Sequence, residues 1–285
     1  MERSVGRVYR IIHDNIRDQL DDPPCEIWTR CPQRGRCPGV HPVIAILLCA
    51  GAGSRLLPLT QEMPKCLVEV GGQTILDSQL QALRLSGIDR ALVIGGYRAN
   101  QIADHLARHT EPLSVDLVFN PFWAVSSSIG SVWAARDRLD GPFCILNGDT
   151  LLDPMLLREA VRRAQAGVNL LVEPIGEAAQ DDMRVSVVDG AVRAVSKALP
   201  LDTATHRSLG VILSTGANDD YRRALDAVIA KPDGIQAYHH DIIDHLAREA
   251  RVNAIVVQGA AWQEIDTPED IANWAQDAAP LRHAI

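Results

Sequence analysis

Small residues and two cations crowd into one stretch of this chain, from Leu48 to Lys65. An apolar run over residues 43–48 precedes it and predicts a buried parallel strand. The small residues let backbone N–H groups approach a ligand closely, and Arg55 and Lys65 supply positive charge on either side of a proline-containing loop. Amides and cations together suit a polyanion, most of all a nucleoside triphosphate. The predicted nucleotide-binding residues of this stretch are Ala50, Gly51, Ala52, Gly53, Ser54, Arg55 and Lys65.

Two common nucleotide motifs do not describe this stretch. Gly53 is followed by Ser-Arg-Leu rather than by the remainder of a Walker A loop, and the GxGxxG pattern fails at Leu56. Instead, Gly51, Gly53 and Arg55, followed by Pro-Leu-Thr at 58–60 and Pro-Lys at 64–65, closely resemble the signature of the sugar-1-phosphate nucleotidyltransferase superfamily. That signature reads approximately GxGxRLxPLT and, several residues later, PK.

A first acidic position follows a buried strand predicted at residues 143–146. Ligands of open parallel sheets bind beyond the carboxyl ends of the strands, where Asn147, Gly148 and Asp149 stand. We predict that Asn147 and Gly148 lie beside the nucleotide and that Asp149 binds Mg²⁺, which prefers a few carboxylates together with phosphate oxygens and water. Helix capping is the alternative role for Asp149, although Asp153, just before Pro154, fits a cap better.

A second acidic cluster surrounds a predicted helix start. Thr267 suits the N-cap and Pro268 the first helical position, with acids in the first turn. Glu264 and Asp266 precede that helix and face the same side of an extended segment, so they are left over for function. The superfamily resemblance implies that Asp266 is the second Mg²⁺ carboxylate beside Asp149. We assign Glu264 to acceptor binding.

The acceptor half of the site is predicted from a second lysine segment. Residues 189–197 resemble the superfamily's D-x-G-x-V segment, which implies that Lys197 contacts the phosphate of the acceptor. Many hexose-1-phosphate enzymes have Glu before this lysine, and Ser196 stands there instead, which weakens the case for a hexose. A quaternary ammonium group would suit a box of Trp123, Tyr238 and Trp262 by cation–π contact, with core packing as the alternative role of these rings.

Three segments, at residues 120–129, 181–185 and 262–266, resemble the branch that includes bacterial phosphocholine cytidylyltransferases and related CTP-dependent enzymes of inositol-1-phosphate and phosphonates. Phosphocholine members often have an Asn pair where Ser127 and Ser128 stand, so the acceptor stays open. The resemblance implies Mg²⁺-dependent transfer of CMP from CTP to a small phosphate or phosphonate acceptor, with release of pyrophosphate. It also implies catalytic roles for Arg55, Lys65 and Lys197. A hexose-1-phosphate enzyme using dTTP or UTP, and a nucleotide-binding regulatory module, are the alternatives.

The fold prediction follows from the regular alternation of strands and helices after residue 43. This rhythm predicts an α/β fold with a mostly parallel mixed sheet covered on both faces, a Rossmann-like three-layer sandwich. A strand is expected over 67–70 and helices over 74–86 and 131–139, among others. Residues 1–42 are predicted to form an extension with a short helix and a Cys/Pro/Arg-rich loop, and residues 43–285 the catalytic domain.

Composition limits the partners. With a net charge of −8 over 285 residues, the chain lacks the basic footprint of nucleic-acid binding. It has no apolar run of the roughly 18 residues that a membrane span needs, and its first 20 residues alternate charges, so we expect a soluble cytoplasmic enzyme. Cys25, Cys31 and Cys37 are spaced unlike zinc pairs, and reduced cysteines are expected. Homo-oligomerisation and a partner contact through residues 1–42 stay open.

Overall fold

A computed structural model describes residues 43–108, 113–176, 181–216, 219–259 and 262–277. The predicted N-terminal extension, with Cys25, Cys31 and Cys37, lies outside the described residues. Within them, Cys49, Cys66 and Cys144 are buried free thiols. No helix in these ranges is long and apolar enough to cross a membrane.

Strands and helices alternate along the chain. The strands are β1 Ile44–Cys49, β2 Glu69–Val70, β3 Gln73–Thr74, β4 Arg90–Gly95, β5 Ser114–Phe119, β6 Phe143–Asn147, β7 Thr150–Leu152, β8 Gly167–Pro174, β9 Arg184–Val188, β10 Ala191–Ser196, β11 His206–Thr215, β12 Val252–Val256 and β13 Trp262–Glu264. The α-helices are α1 Ile75–Leu85, α2 Ala99–Leu106, α3 Ser128–Ala134, α4 Pro154–Arg163, α5 Asp219–Ile229, α6 His240–Ala247 and α7 Pro268–Asp277.

Nine of these strands form one mixed sheet in the order β5-β4-β1-β6-β11-β8-β12-β10-β9. Strands β5, β4, β1 and β6 run parallel to one another, as do β8 and β12, whereas β11 runs antiparallel to β6 and β8. Strands β9 and β10 form an antiparallel pair at one edge. The predicted mixed α/β fold is therefore confirmed, and its parallel half carries the glycine-rich loop.

The sheet is covered on both faces because successive side chains of its strands point to opposite sides. In β1, Ala45 and Leu47 join an apolar cluster with residues of α1, α2 and α4, while Ile46 joins a second cluster with residues of α3, α5 and α6. The three layers are thus helices, sheet and helices, as predicted. The middle strands are buried on both sides, which fits their nearly continuous apolar sequence.

Helix starts follow the capping signals in the sequence. The Thr74 hydroxyl accepts a hydrogen bond from the backbone N–H of Asp77 at 3.0 Å, and Asp153 accepts from that of Met155 at 2.7 Å. At α7, the Asp270 carboxylate accepts from the backbone N–H of Thr267 at 2.7 Å. The expected capping roles of Asp153 and of residues 267–270 are therefore confirmed, and Asp149 is not needed as a cap for α4.

Two predicted elements differ from the structure. The helix expected over 131–139 begins at Ser128 and ends at Ala134, because backbone bonds from Ser127 and Ile129 to residues 235 and 237 fix its start. A separate 3-10 turn covers 136–138. The strand expected over 67–70 is shortened to Glu69–Val70, because a 3-10 turn occupies 65–67 and the glycine turn at 71–72 closes a very short hairpin.

Candidate active site

The glycine-rich loop leaves the carboxyl end of β1 and is closed by a contact between its two ends. Gly53 has φ +65°, and the Thr60 hydroxyl donates a hydrogen bond to its carbonyl oxygen at 2.7 Å. A Cβ at Gly53 would lie 2.9 Å from Cβ of Lys65. Only glycine therefore allows both this backbone conformation and the close approach of the lysine. The loop brings Arg55 and Lys65 to the same end of the sheet.

The two predicted Mg²⁺ carboxylates are brought together by a second, very short sheet. Strand β7 follows Asp149, and it pairs with β13 in the register Thr150 to Glu264. The backbone N–H of Ile265 donates to the carbonyl oxygen of Asp149 at 3.0 Å. Asp266 therefore lies beside Asp149 although 116 residues separate them in the chain. Neither strand was predicted, because three residues are too few to show a period.

Six charged side chains form one continuous row of alternating sign, which we call the charge chain. Lys65 Nζ lies 2.7 Å from Asp149 Oδ2 and 2.5 Å from Asp266 Oδ1. Arg55 Nη2 lies 3.0 Å from the same Asp266 oxygen. Arg55 also binds Asp181 through Nη1, and Asp181 in turn binds Lys197. In order, the charge chain is Lys197, Asp181, Arg55, Asp266, Lys65 and Asp149.

Lys65 is held in its charged form. Burial by itself would lower the pKa of Lys65, but the charges of Asp149 and Asp266 outweigh burial and raise the pKa above its ordinary value. Its side chain is only 13% exposed, so water screens these interactions weakly. A nearly buried, charged ammonium group between two carboxylates is a fixed positive charge at the centre of the site.

The donor set is compatible with Mg²⁺. Asp149 Oδ1 is buried and has no hydrogen-bond partner in the described part of the chain, so one oxygen is available as a ligand. No group of three or more His, Cys, Asp and Glu residues within the described ranges would hold a metal alone. Mg²⁺ bound with a nucleotide needs only one or two carboxylates, because phosphates and waters supply the other oxygens. Asp149 and Asp266 fit that requirement.

A cavity of about 270 Å³ lies over these groups. Its lining includes eight predicted site residues, namely Gly51, Gly53, Ser54, Arg55, Lys65, Gly148, Asp149 and Asp266. A larger cavity of about 760 Å³ lies beside α1, α2 and the β2–β3 hairpin, and its lining contains no predicted site residue. The structure thus gathers the predicted triphosphate and metal residues around one cavity.

Glu264 lies next to the charge chain, and its pKa is raised above the ordinary carboxyl value. Asn147 Nδ2 donates to Glu264 Oε1 at 3.0 Å. Burial, followed by the charge of Asp149, raises the pKa of Glu264 to about 7, although the Asn147 hydrogen bond opposes the shift. At pH values between the ordinary carboxyl pKa and about 7, Glu264 is therefore protonated in the folded protein and ionised in the unfolded protein.

We expect Glu264→Gln to stabilise the metal-free protein increasingly as pH rises from 5 to 8. A carboxyl whose pKa is raised by folding loses stability on deprotonation, so wild-type stability falls across this window while that of the variant does not. The difference should reach the order of a few kcal/mol at pH 8. Urea unfolding in EDTA at several pH values measures it, and a difference that is the same at pH 5 and pH 8 would contradict the assignment.

Gly148 allows the turn that carries Asp149 to pass close to β1. A Cβ at Gly148 would lie 2.4 Å from the carbonyl oxygen of Leu48 and 3.0 Å from Cα of Cys49. We expect Gly148→Ala to destabilise the fold by about 1–3 kcal/mol, because backbone must move to relieve the clash.

Gly190→Ala in the β9–β10 turn is not crowded, since no atom would lie within 4 Å of the added Cβ. Its φ of +76° nonetheless makes it a control for backbone strain alone. Chemical denaturation of both variants separates the two effects.

The predicted acceptor residues have separate neighbours. Lys197 Nζ lies 5.2 Å from the ring centroid of Tyr238. The Trp123 ring packs on Tyr97, with centroids 5.5 Å apart, and the Arg207 guanidinium lies 5.0 Å from the Trp262 ring. Among the described residues, no ring contact joins Trp123, Tyr238 and Trp262 to one another. Their role in a common box stays a prediction, whereas Tyr238 does lie beside Lys197.

Two residues near the site were not proposed as site residues. Asp181 binds both Arg55 and Lys197, and its sequence signal was the segment at 181–185 that resembles the CTP-dependent branch. His239 is buried, with Nδ1 3.0 Å from the Ser128 hydroxyl, and burial lowers the pKa of His239 to about 4, so the ring is neutral. A histidine at a helix start carries no motif, which is why the sequence did not indicate it.

The nucleotidyl transferase family matches residues 44–178, which include the glycine-rich loop, Lys65 and Asp149. Over this stretch, slightly less than half of its length, the chain is similar to the nucleotidyl transferase family. The match supports the resemblance seen in the loop motif, and it includes Arg55, Lys65 and Asp149 of the charge chain.

Relatives of this chain include several named for cytidylyl transfer. It is 25% identical over 243 residues to CMP-5'-(3-aminopropyl)phosphonate synthase of Streptomyces rubellomurinus, covering 82% of this chain and 38% of the relative. It is 43% identical over 65 residues to CTP:phosphoglutamine cytidylyltransferase of Campylobacter jejuni, covering 23% and 26%. It is 32% identical over 120 residues to choline-phosphate cytidylyltransferase of Streptococcus pneumoniae, covering 42% and 50%. The chain thus spans half or less of the length of these relatives.

Solved nucleotidyltransferases share the fold. CTP:phosphocholine cytidylyltransferase from Streptococcus pneumoniae aligns with a TM-score of 0.69 at 23% identity, covering 83% of this chain and 99% of that one. UDP-glucose pyrophosphorylase in complex with UDP-glucose aligns with a TM-score of 0.71 at 13% identity, covering 85% and 100%. At these identities the likeness concerns the fold, and it supports the Rossmann-like architecture predicted from the sequence.

Proposed function

We propose that this protein is a Mg²⁺-dependent nucleotidyltransferase that moves CMP from CTP to a small phosphate or phosphonate acceptor and releases pyrophosphate. The observation that carries the proposal is the charge chain, in which two cations, Arg55 and Lys65, and two neighbouring carboxylates line one cavity at the end of the parallel strands. An ionised phosphate is already a nucleophile near neutral pH, so the site needs no general base. It needs positioning and charge neutralisation.

Each residue has a separate part in this chemistry. The backbone amides of residues 51–54 and the Arg55 guanidinium bind the triphosphate. Lys65 is fixed at the centre of the site and stabilises the charge that develops on the α-phosphoryl group. Lys197 binds the phosphate or phosphonate of the acceptor and directs one of its oxygens towards the α-phosphorus. A bond forms from that oxygen to phosphorus as the bond to pyrophosphate breaks.

Asp149 and Asp266 are the residues that would hold the metal. Bound there, Mg²⁺ supplies Lewis-acid charge that neutralises the triphosphate and the leaving pyrophosphate. The support is local: the buried free oxygen of Asp149, and an oxygen donor set that suits a hard cation.

The choice of CTP rests on the relatives. Three of them carry cytidylyl or CMP in their names, and their other substrates are a phosphonate, phosphoglutamine and choline phosphate. Ser196 before Lys197 points the same way, since many hexose-1-phosphate enzymes have Glu there. Mannose-1-phosphate guanylyltransferases of flies and rice are also relatives, at 24–25% identity, so a sugar-phosphate acceptor is the second candidate.

A pyrophosphate-release screen tests the proposal. CTP, UTP, dTTP, GTP and ATP are each offered with phosphocholine, inositol-1-phosphate, 3-aminopropylphosphonate, glucose-1-phosphate and mannose-1-phosphate, with Mg²⁺ and with EDTA. We expect release with CTP and a non-sugar acceptor only when Mg²⁺ is present. Release confined to hexose-1-phosphates would replace the acceptor assignment with the second candidate. Release in EDTA would reject the metal.

A further inference from the structure

One carboxylate of the charge chain, Asp181, is neither a proposed metal ligand nor part of a strand or helix. Asp149 and Asp266 are the proposed metal ligands, and both also bind Lys65. Asp181 lies away from that pair, and its side chain is 54% exposed. It belongs to neither β8 nor β9, and its described side-chain partners are Arg55 and Lys197. Its position therefore calls for a role in the site rather than in the fold.

Asp181 joins the two halves of the proposed site. Its Oδ2 binds Arg55, which is assigned to the triphosphate, and its Oδ1 binds Lys197, which is assigned to the acceptor. Hydrogen bonding from Lys197, opposed by slight burial and aided by Arg55, lowers the pKa of Asp181, so the carboxylate is charged at neutral pH. The Asp181 side chain is thus bound at the same time to Arg55 and Lys197, the two cations assigned to substrate phosphates.

The charge balance of the site shows what this contact does. Three cations and three carboxylates alternate, so the charge chain as a whole is neutral and attracts an incoming anion little. Mg²⁺ held by Asp149 and Asp266 would offset the charge of these two carboxylates. The charge of Asp181 is offset by Arg55 and Lys197 themselves, so phosphate oxygens can bind these two cations only in competition with Asp181.

We propose that Asp181 is a positioning residue that stands in for substrate phosphate: its carboxylate holds Arg55 and Lys197 at the site and competes with both substrates for them. This inference rests on the proposed function for the roles of the two cations. Removing the carboxylate should therefore strengthen anion binding at both cations, whereas loss of an ordinary binding residue would weaken it.

The test compares Asp181→Asn with wild type by calorimetric titration of three probes. Inorganic tripolyphosphate reports on the triphosphate half whatever the base, α,β-methylene-CTP with Mg²⁺ reports on the nucleotide, and inorganic phosphate added to analogue-saturated protein reports on Lys197. We expect each to bind Asp181→Asn about threefold or more tightly, the range that exposed ion pairs allow. The gain should shrink as salt rises from 50 to 500 mM, because salt screens exposed charges.

Asp182→Asn is the matched control, because it removes the neighbouring carboxylate, which binds Arg207 at 3.3 Å. It should leave all three affinities unchanged. Equal or weaker binding by Asp181→Asn, or an equal gain in Asp182→Asn, would overturn the inference. A CTP analogue that fails to bind wild type while tripolyphosphate binds Asp181→Asn more tightly would instead reject the CTP assignment and leave the role of Asp181 standing. Thermal melting of each variant checks the fold.

Discussion

Lys65→Ala is expected to lower kcat by about 10²-fold or more, the loss typical of removing one transition-state donor. The ammonium group sits between Asp149 and Asp266, is nearly buried and is charged, so its position does not depend on the substrate. A preorganised charge of this kind acts on the transition state more than on the bound substrate. Steady-state kinetics at saturating nucleotide and acceptor measure the loss.

The chain offers a natural control, because it contains only three lysines and the third, Lys231, is exposed just after α5. Lys231→Ala should retain wild-type kcat. Lys65→Arg keeps the charge but replaces a compact ammonium by a planar fork, so it should recover little of the lost rate. An unchanged kcat with only a raised KM for the nucleotide would reduce Lys65 to a binding residue.

Asp149→Asn and Asp266→Asn are each expected to lower kcat by on the order of 10²-fold or more, with no recovery at saturating Mg²⁺. Each change keeps the size of the side chain and removes the negative charge that a metal needs, and metal stabilisation of a transition state is worth several kcal/mol. Asp149 should be the more sensitive position, because one of its oxygens is buried and has no hydrogen-bond partner among the described residues.

Asp153→Ala is the control for this pair of variants. Asp153 lies four residues after Asp149 and caps α4, so its loss should cost about 1 kcal/mol of stability and leave turnover unchanged. Turnover near the wild-type value in either Asn variant at saturating Mg²⁺ would show that the carboxylates are not metal ligands.

Sequence reasoning succeeded where the chemistry depends on the ends of parallel strands. The loop after β1 and the turn after β6 meet at one edge of the sheet because neighbouring parallel strands end together. The proximity of Arg55 and Lys65 to Asp149 therefore follows from the strand pattern and the loop motif. The place of Asp266 beside them came from the superfamily resemblance, since the pairing of β7 with β13 leaves no periodic signal in three residues.

The sequence does not indicate which residues meet when only tertiary contacts bring them together. Asp181 reaches Arg55 across 126 residues of sequence, and an exposed acid in a loop has no pattern that reveals its partner. The three aromatic residues grouped for the acceptor show the same dependence on tertiary contacts, and their common role stays a prediction. Residue type suggested a common box, whereas Trp123 and Trp262 pack on Tyr97 and Arg207. Ring chemistry indicates what a residue can bind, but packing decides which residues meet.

The pairing of β7 with β13 places Asp266 beside Asp149, and neither of these two strands belongs to the main sheet. All nine strands of the main sheet have been made once synthesis reaches Val256, yet Asp266 has not. The nine-stranded sheet therefore includes the strand that leads to Asp149 but not the strand that leads to Asp266, the second carboxylate partner of Lys65. Asp266 follows β13, which lies outside the main sheet and pairs with β7. One carboxylate of the candidate site is thus placed by a three-residue strand that contributes nothing to the main sheet.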